Sequence, residues 1–218
     1  RQLFEEMPER NEVSWTAIIS GLLRYGRVEE AICYFERNPF QNLFSWTAVI
    51  SGHVQNGLSF KAMKLFLEML QSGVMPNDVT FTSIIRACGE LGDFNLGMCV
   101  LGLIVKVGFE HNLSVSNSLI TFNLRQNDTV SARTIFDRMQ RKDVVSWTAI
   151  LDMYVQMGEL AEARRVFDEM PERNEVSWST MISRYSQSGD AEEAVNLFIR
   201  MVQHGFKPNK SCFASIVS

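Results

Sequence analysis

The tripeptide Ser-Trp-Thr decides the fold of this chain. It occurs as Ser14-Trp15-Thr16, Ser45-Trp46-Thr47 and Ser146-Trp147-Thr148, and Ser177-Trp178-Ser179 is a near copy. All four tryptophans of the protein lie in these copies, which follow one another at intervals of 31, 101 and 31 residues. The long interval accommodates two periods of 35 residues and one of 31. Such self-similarity at fixed spacing is the signature of a repeat protein.

A shared ending sets the boundaries of the units. The segment Met170–Asn174 copies Met7–Asn11 (MPERN), and we place each boundary after such a terminal Asn or Asp. Six full units result: 12–42, 43–77, 78–112, 113–143, 144–174 and 175–209, with lengths of 31, 35, 35, 31, 31 and 35 residues. Residues 1–11 are predicted to be the second helix of a partial unit, and 210–218 the start of the first helix of another. We therefore expect the chain to be an internal piece of a longer protein.

Columns that did not define the boundaries agree with them. Position 15 of each unit is Gly, except for Asn127, and a left-handed residue there closes a first helix, called A. Position 20 is Ala or Gly and position 24 is Phe or Leu, so a second helix, B, can approach A closely and carry a large side chain on the same face. Because such a hairpin cannot bury its apolar face alone, we predict an all-α, right-handed α-solenoid of stacked helix-turn-helix repeats.

Composition excludes several other classes of protein. A chain of 218 residues that is 46% apolar can bury a sizeable core, and its net charge of -4 does not favour a nucleic-acid partner. No apolar run is long enough to span a membrane. The four cysteines form no CxxC pair, so we expect reduced, buried, apolar residues and neither disulfides nor a zinc site: Cys33, Cys88, Cys99 and Cys212.

Catalysis is not expected either. The three histidines (His53, His111 and His204) are isolated, and no H-x-E with a downstream CxxC provides the zinc-deaminase constellation. No paired nucleophile and base stands out. We therefore expect neither an enzyme nor a bound cofactor, metal or small-molecule substrate.

A pair of polar columns is not explained by core packing. Position 5, in the first turn of helix A, is Thr16, Thr47, Thr82, Asn117, Thr148 and Ser179. The last residue of the unit is Asn42, Asn77, Asn112, Asp143, Asn174 and Asn209. The last residue could simply cap the following helix. A cap would also accept Ser or Thr, however, and neither occurs there, which favours a second role.

These units resemble pentatricopeptide repeats over the whole chain. The wording of SWTAII, MYVQMGELAEARRVFDEMPERN and HGFKPN is similar to that family, and the order of lengths resembles its PLS subclass. In that subclass 12–42, 113–143 and 144–174 would be short (S-type) repeats, 43–77 and 175–209 P-type, and 78–112 long (L-type). The resemblance implies sequence-specific binding of single-stranded RNA in a groove, about one base per repeat. It also implies a plant mitochondrial or chloroplast protein that serves C-to-U editing or other processing of transcripts, with editing-complex proteins as further partners.

The resemblance assigns roles to individual columns. Position 5 and the last residue would read the base. Position 2 would wedge against it, which selects Val13, Phe44, Val79, Val145 and Val176, whereas Ser114 departs from the pattern. Position 13 would face phosphates, but only Arg24 and Arg125 are basic in that column. A modest attraction to the RNA backbone is therefore expected.

The chemistry of the last residue suggests which base each repeat reads. Asn both donates and accepts, whereas an ionised Asp only accepts, so Asp143 should favour a base with a ring N–H, which means U or G. The family's code then gives A, A, A, U, A and A from residue 12 onward, the third position being the weakest because long repeats resemble poorer readers. The alternative is a protein-binding solenoid like tetratricopeptide repeats, which have a constant period of 34 and no paired polar columns.

Overall fold

A computed structural model describes residues 2–217 of the chain; Arg1 and Ser218, the outermost residues of the two partial repeats, lie outside the described residues. Regular structure in the described part consists of fourteen α-helices. The A helices are α2 (Glu12–Arg24), α4 (Leu43–Gln55), α6 (Asp78–Leu91), α8 (Leu113–Arg125), α10 (Val144–Met157), α12 (Glu175–Gln187) and α14 (Lys210–Val217). The B helices are α1 (Gln2–Glu6), α3 (Val28–Arg37), α5 (Ser59–Gln71), α7 (Phe94–Lys106), α9 (Thr129–Arg138), α11 (Leu160–Glu169) and α13 (Ala191–Gln203).

The chain divides into two compact units, Arg1–Gln126 and Asn127–Ser218. In the first, the A helices α2, α4, α6 and α8 pack in series, and α3 and α5 each contact their own A helix and the next one. In the second, α10, α12 and α14 pack in series with α11 and α13 placed in the same way. The predicted class, all-α with helix-turn-helix repeats, is confirmed.

Each hairpin turns at the predicted left-handed residue. Gly26, Gly57, Gly92, Gly158 and Gly189 all have positive φ, and Asn127 takes the same conformation with φ of 59°. Asn is the ordinary side chain that adopts this region most readily, because its short polar group tolerates it. The column of position 15 is therefore explained by backbone geometry.

The two repeat lengths differ mainly in helix B. The B helices of the 31-residue repeats have 10 residues, whereas those of the 35-residue repeats have 13. The longer helices end in a further left-handed glycine: Gly73, Gly108 and Gly205. The extra residues lengthen helix B by almost one turn and leave helix A nearly unchanged.

The tryptophans pack between repeats, against the aromatic residue of the preceding helix B. Ring centroids lie 5.0 Å apart for Phe4–Trp15, 4.7 Å for Phe35–Trp46, 4.9 Å for Phe136–Trp147 and 4.8 Å for Phe167–Trp178, all edge to face. The small residues at position 20 are buried on the B helices. Ser-Trp-Thr recurs because each copy supplies the ring that fills one inter-repeat space.

Repeat 78–112 meets its successor differently. Its position 24 is Leu101, and Ser116 stands where most repeats have Trp. Here Phe122 of α8 fills the space, stacking on Phe94 with ring centroids 6.3 Å apart. A Cβ at Gly97 would overlap with the Phe122 ring, so this repeat needs glycine where the others have alanine.

The expectation of four buried cysteines is wrong for two of them. Cys88 and Cys212 are buried, and burial raises the pKa of the Cys88 thiol to about 11. Cys33 and Cys99 are exposed. Both occupy position 22 of their repeats, which lies in helix B two residues from the buried positions 20 and 24, and therefore on the opposite side of the helix.

None of the helices in residues 2–217 is both long and apolar enough to cross a membrane. Residues 2–217 also contain no group of three or more His, Cys, Asp or Glu side chains placed to hold a metal ion.

Candidate nucleic-acid interface

The last residue of every repeat caps the following A helix. The Oδ1 atom of Asn42 accepts hydrogen bonds from the backbone N–H of Phe44 and Ser45, both at 3.1 Å. Asn77, Asn112, Asp143, Asn174 and Asn209 make the equivalent bond, with distances from 2.8 to 3.1 Å. The capping role that the sequence left open is therefore present in all six repeats.

The serine of Ser-Trp-Thr completes this cap. The Ser45 hydroxyl accepts from the Asn42 backbone N–H at 3.0 Å, and Ser14, Ser146 and Ser177 do the same for Asn11, Asp143 and Asn174. This reciprocal arrangement is a capping box with Ser in place of the usual Glu or Gln. This reciprocal cap was not predicted from the sequence, although Asn or Asp stands three residues before the Ser of each Ser-Trp copy.

Capping determines what the last residue can still offer. With Oδ1 turned toward the helix, each Asn presents its Nδ2 donors away from the backbone. An Asp in the same geometry presents only an acceptor. The cap therefore orients the amide and makes its outward chemistry unambiguous.

Position 2 is exposed in every repeat, although it is apolar in five of the six. The exposed fraction of the side chain is 75% for Val13, 66% for Phe44 and 49% for Val79. Val145 and Val176 are exposed by 58% and 53%. Solvent-exposed apolar residues that recur once per repeat, in the first turn of helix A, serve no core and are available to contact a ligand.

A pocket of about 440 Å³ joins these columns in the first unit. It is lined by Val13, Thr16 and Asn42, which are positions 2, 5 and last of repeat 12–42, and by Phe44, position 2 of the next repeat. Glu12, Ala17 and Ser20 complete the wall. The residues selected from the sequence for this repeat thus surround one cavity, between a valine and a phenylalanine.

A second pocket in the other unit repeats the arrangement. Its volume is about 360 Å³, and Val176, Ser179 and Asn209 line it as positions 2, 5 and last of repeat 175–209. The remaining wall comes from Val155, Thr180, Ser183, Arg184 and Gln187. Positions 2, 5 and last of the repeat therefore line a cavity in two different repeats.

The hydroxyls at position 5 mostly donate to their own helix. Thr148 donates to the Val144 carbonyl at 2.7 Å, Thr82 to Val79 at 3.0 Å, and Ser179 to Glu175 at 2.6 Å. These hydroxyl oxygens can then only accept a further hydrogen bond. Thr47 differs, since it is buried and shares a 2.9 Å hydrogen bond with Thr80.

Charge on this side of the A helices is mixed. Arg24 and Arg125 are exposed at position 13, but Glu90 occupies the same column in repeat 78–112. Burial disfavours its ionisation, yet hydrogen bonds from Ser59 and Arg86 outweigh this and hold the Glu90 pKa below its ordinary value. The column therefore carries a fixed negative charge as well as two positive ones.

Two ionisable residues near the second pocket were not selected from the sequence. Arg184 lies in its wall. Asp152 accepts a hydrogen bond of 3.4 Å from Thr180, and burial raises the pKa of its carboxyl. Arg184 is position 10 and Asp152 position 9 of their repeats, and in the other repeats these positions are uncharged except for Arg86. No recurring pattern therefore predicted a function for them.

Family models cover most of the chain. A model described as the PPR repeat matches residues 13–37, 79–109, 114–144 and 145–175, and one described as the PPR repeat family matches 41–90 and 173–218. The chain belongs to the PPR, or pentatricopeptide, repeat family. The predicted family is thereby confirmed.

Curated PPR relatives are longer than this chain. A chloroplastic pentatricopeptide repeat-containing protein of Arabidopsis thaliana is 34% identical over 71% of the chain and 14% of its own length. A putative mitochondrial one from the same plant is 33% identical over 72% of the chain and 20% of its length. The chain thus spans about a fifth or less of these relatives.

Solved structures share the fold. Maize PPR10 matches 99% of the chain and 33% of its own with a TM-score of 0.70 and 23% identity. PPR10 in complex with an 18-nt psaJ RNA element matches 96% and 38% with a TM-score of 0.59 and 16% identity. A tetratricopeptide repeat protein from Parabacteroides merdae matches 99% and 84% with a TM-score of 0.62 and 15% identity. At these identities the likeness concerns the fold alone.

Proposed function

We propose that this chain binds single-stranded RNA and recognises about one base per repeat with position 5 and the last residue. The observation that carries the proposal is the pocket between Val13 and Phe44, whose polar wall holds Thr16 and Asn42. A flat base fits between two apolar side chains, and its edge then meets the polar pair. Recognition of single bases by a few side chains of each helical repeat is an established mode of RNA binding.

The hydrogen bonds of the polar pair suit adenine. In repeat 144–174 the Asn174 Oδ1 atom is held by the helix cap, so Nδ2 can donate to the ring N1 of adenine. The Thr148 hydroxyl donates to the Val144 carbonyl, so its oxygen can accept from the exocyclic amino group. Uracil presents the opposite order, a ring N–H beside a carbonyl, and would meet two mismatches.

The finer biological role is part of the proposal. The order of repeat lengths supports the PLS subclass, and through it a specificity factor for C-to-U editing or other processing of an organellar transcript. The relatives named chloroplastic and mitochondrial support one of these organelles. Editing-complex proteins would then be further partners, and the chain itself would bind without catalysing a reaction.

Exchange of the last residue tests the proposal. Asn174→Asp should keep the cap, since Asp and Asn are equally good N-cap residues, but turn the outward donor into an acceptor. Preference at that nucleotide should move from A toward a base with a ring N–H, G in particular, with a loss of about 1–3 kcal/mol on the original RNA. Binding to four RNAs that differ at this nucleotide measures the shift.

The reverse exchange provides the matched variant. Asp143→Asn should move the preferred base at the nucleotide of repeat 113–143 from U toward C, because the capped side chain now donates. Thermal unfolding of both variants checks that the caps survive. If both substitutions weaken all RNAs equally, or neither changes base preference, the last column only caps helices and the proposal is wrong.

A further inference from the structure

Among the capping asparagines of residues 2–217, Asn42 is distinguished by a carboxylate that is hydrogen-bonded to its amide. Its Nδ2 atom donates to the Glu12 Oε2 atom at 2.8 Å, across one whole repeat. Glu12 is position 1 of repeat 12–42, in the first turn of α2, and lies in the wall of the same pocket as Asn42 and Thr16. Neither its sequence column nor the resemblance assigns it a function.

We propose that Glu12 is a specificity-determining residue of this pocket, which restricts it to bases that present an acceptor beside an amino donor. This inference rests on the proposed function. Each Asn amide nitrogen carries two hydrogens. Since one of them is bound by Glu12 and Oδ1 is bound by the cap, Asn42 can offer the base a single N–H in a defined direction.

A negative charge lies beside that N–H. The Glu12 carboxylate is an acceptor at the same wall, so the pocket presents a donor next to an acceptor. Adenine and cytosine match this order with a ring nitrogen next to an amino group. Uracil and guanine present a ring N–H next to a carbonyl, and the carbonyl would face the carboxylate. Glu12 thus discriminates mainly by penalising the wrong bases.

Repeat 175–209 offers a matched control. It also begins with a glutamate, Glu175, in the first turn of its A helix. There the Asn209 Nδ2 atom donates to the Ser179 hydroxyl at 3.2 Å and not to the glutamate, and Glu175 lies outside the pocket wall. Both glutamates have the same position and charge, but only Glu12 reaches the amide.

The experiment compares Glu12→Gln with Glu175→Gln in the whole chain. Each variant is titrated with an RNA of the expected sequence and with the RNAs that carry C, G or U at the nucleotide of its own repeat. Glu12→Gln should reduce the preference for A over U or G at its nucleotide by about tenfold, since glutamine can donate to the carbonyl of either base. Glu175→Gln should leave base preference unchanged, while both raise overall affinity equally by removing one negative charge.

A shorter carboxylate separates charge from reach. Glu12→Asp keeps the charge but withdraws it by one methylene, and it should lose discrimination as Glu12→Gln does. The proposed role of Glu12 is wrong if Glu12→Gln changes the base preference at this nucleotide by less than twofold. It is also wrong if Glu175→Gln changes the base preference at the nucleotide of repeat 175–209 as strongly. Either result leaves the reading of RNA bases by position 5 and the last residue unaffected. A wild-type chain without base preference at any nucleotide contradicts the proposed function, and this inference with it.

Discussion

At the scale of single residues, the two ends of one asparagine amide can have different roles. The Oδ1 atom of Asn174 satisfies the N–H of Ser177 at 2.8 Å, which leaves the Nδ2 atom to point outward. Capping and base reading are therefore compatible, because they use different atoms. The cap also removes the rotational ambiguity of the amide, so a substitution can separate the two roles.

Asn174→Ser should abolish base reading without loss of stability. Serine caps helices about as well as asparagine, so the free energy of unfolding should change by less than about 0.5 kcal/mol. Serine has no amide, and preference for A at the nucleotide of repeat 144–174 should disappear. Asn174→Ala is the control for the cap and should lower stability by about 1 kcal/mol. A stable Ser variant with unchanged base preference would contradict reading by this residue.

At the scale of helices, an exact fit between neighbours explains the departures from the repeat pattern. Phe122 of α8 occupies the space that a Cβ at Gly97 of α7 would need. In the other repeats position 20 is alanine, and position 10 of the following repeat is not phenylalanine. The glycine and the phenylalanine are thus two parts of one interface.

Gly97→Ala should therefore destabilise the first unit. The added methyl group overpacks the contact, at a cost of about 1–3 kcal/mol, although alanine is the better helix former. As a single substitution, Phe122→Leu should lower stability by leaving a cavity. In combination with Gly97→Ala it should make room for the added methyl group, so the double variant should lose less stability than the sum of the two single losses. Chemical unfolding of the four proteins measures the coupling. Strictly additive effects would show that the two residues are independent.

The sequence predicted the hairpin well because each column obeys a local rule. Position 15 needs a left-handed residue, and even Asn127 complies. Other features depend on neighbours that no single column reveals. Phe122 fills the space beside Gly97, and the Glu12 carboxylate accepts a hydrogen bond from a residue 30 positions away. Each of these features occurs in a single repeat, so a comparison of the repeats does not reveal it.

At the scale of the whole molecule, the net charge of -4 has to be compatible with binding an anion. Several of the acidic residues lie on the B helices. Glu29, Glu30, Glu162, Glu192 and Glu193 lie in the first turn of a B helix, where the helix dipole favours them. Ion pairs link Lys61 to Glu29 at 3.1 Å and Arg164 to Glu193, each between adjacent repeats. These carboxylates therefore lie on the B helices, whereas Glu12 is an acidic residue in the wall of the first pocket.

Few cations lie at the A-helix positions that the proposed function places near the RNA backbone, and this limits the expected salt dependence of binding. Arg24 and Arg125 are exposed at position 13, and Arg184 lies in the wall of the second pocket. We expect a shallow slope of log affinity against log salt concentration, equivalent to about two to four released ions. Arg184→Gln should reduce that slope by about one ion and weaken all RNA sequences alike. The combined change of Arg24 and Arg125 to Gln should remove about two.

Arg165→Gln is the control, since it alters the net charge by the same amount. Arg165 is exposed on α11 and pairs with Glu162 at 2.9 Å on the same helix. Its removal should leave the slope unchanged, because an ion pair on a B helix releases no ions from RNA. If Arg165→Gln lowers the slope as much as Arg184→Gln, net charge alone controls binding. A steep slope that none of these substitutions alters would place the RNA on a different surface of the molecule.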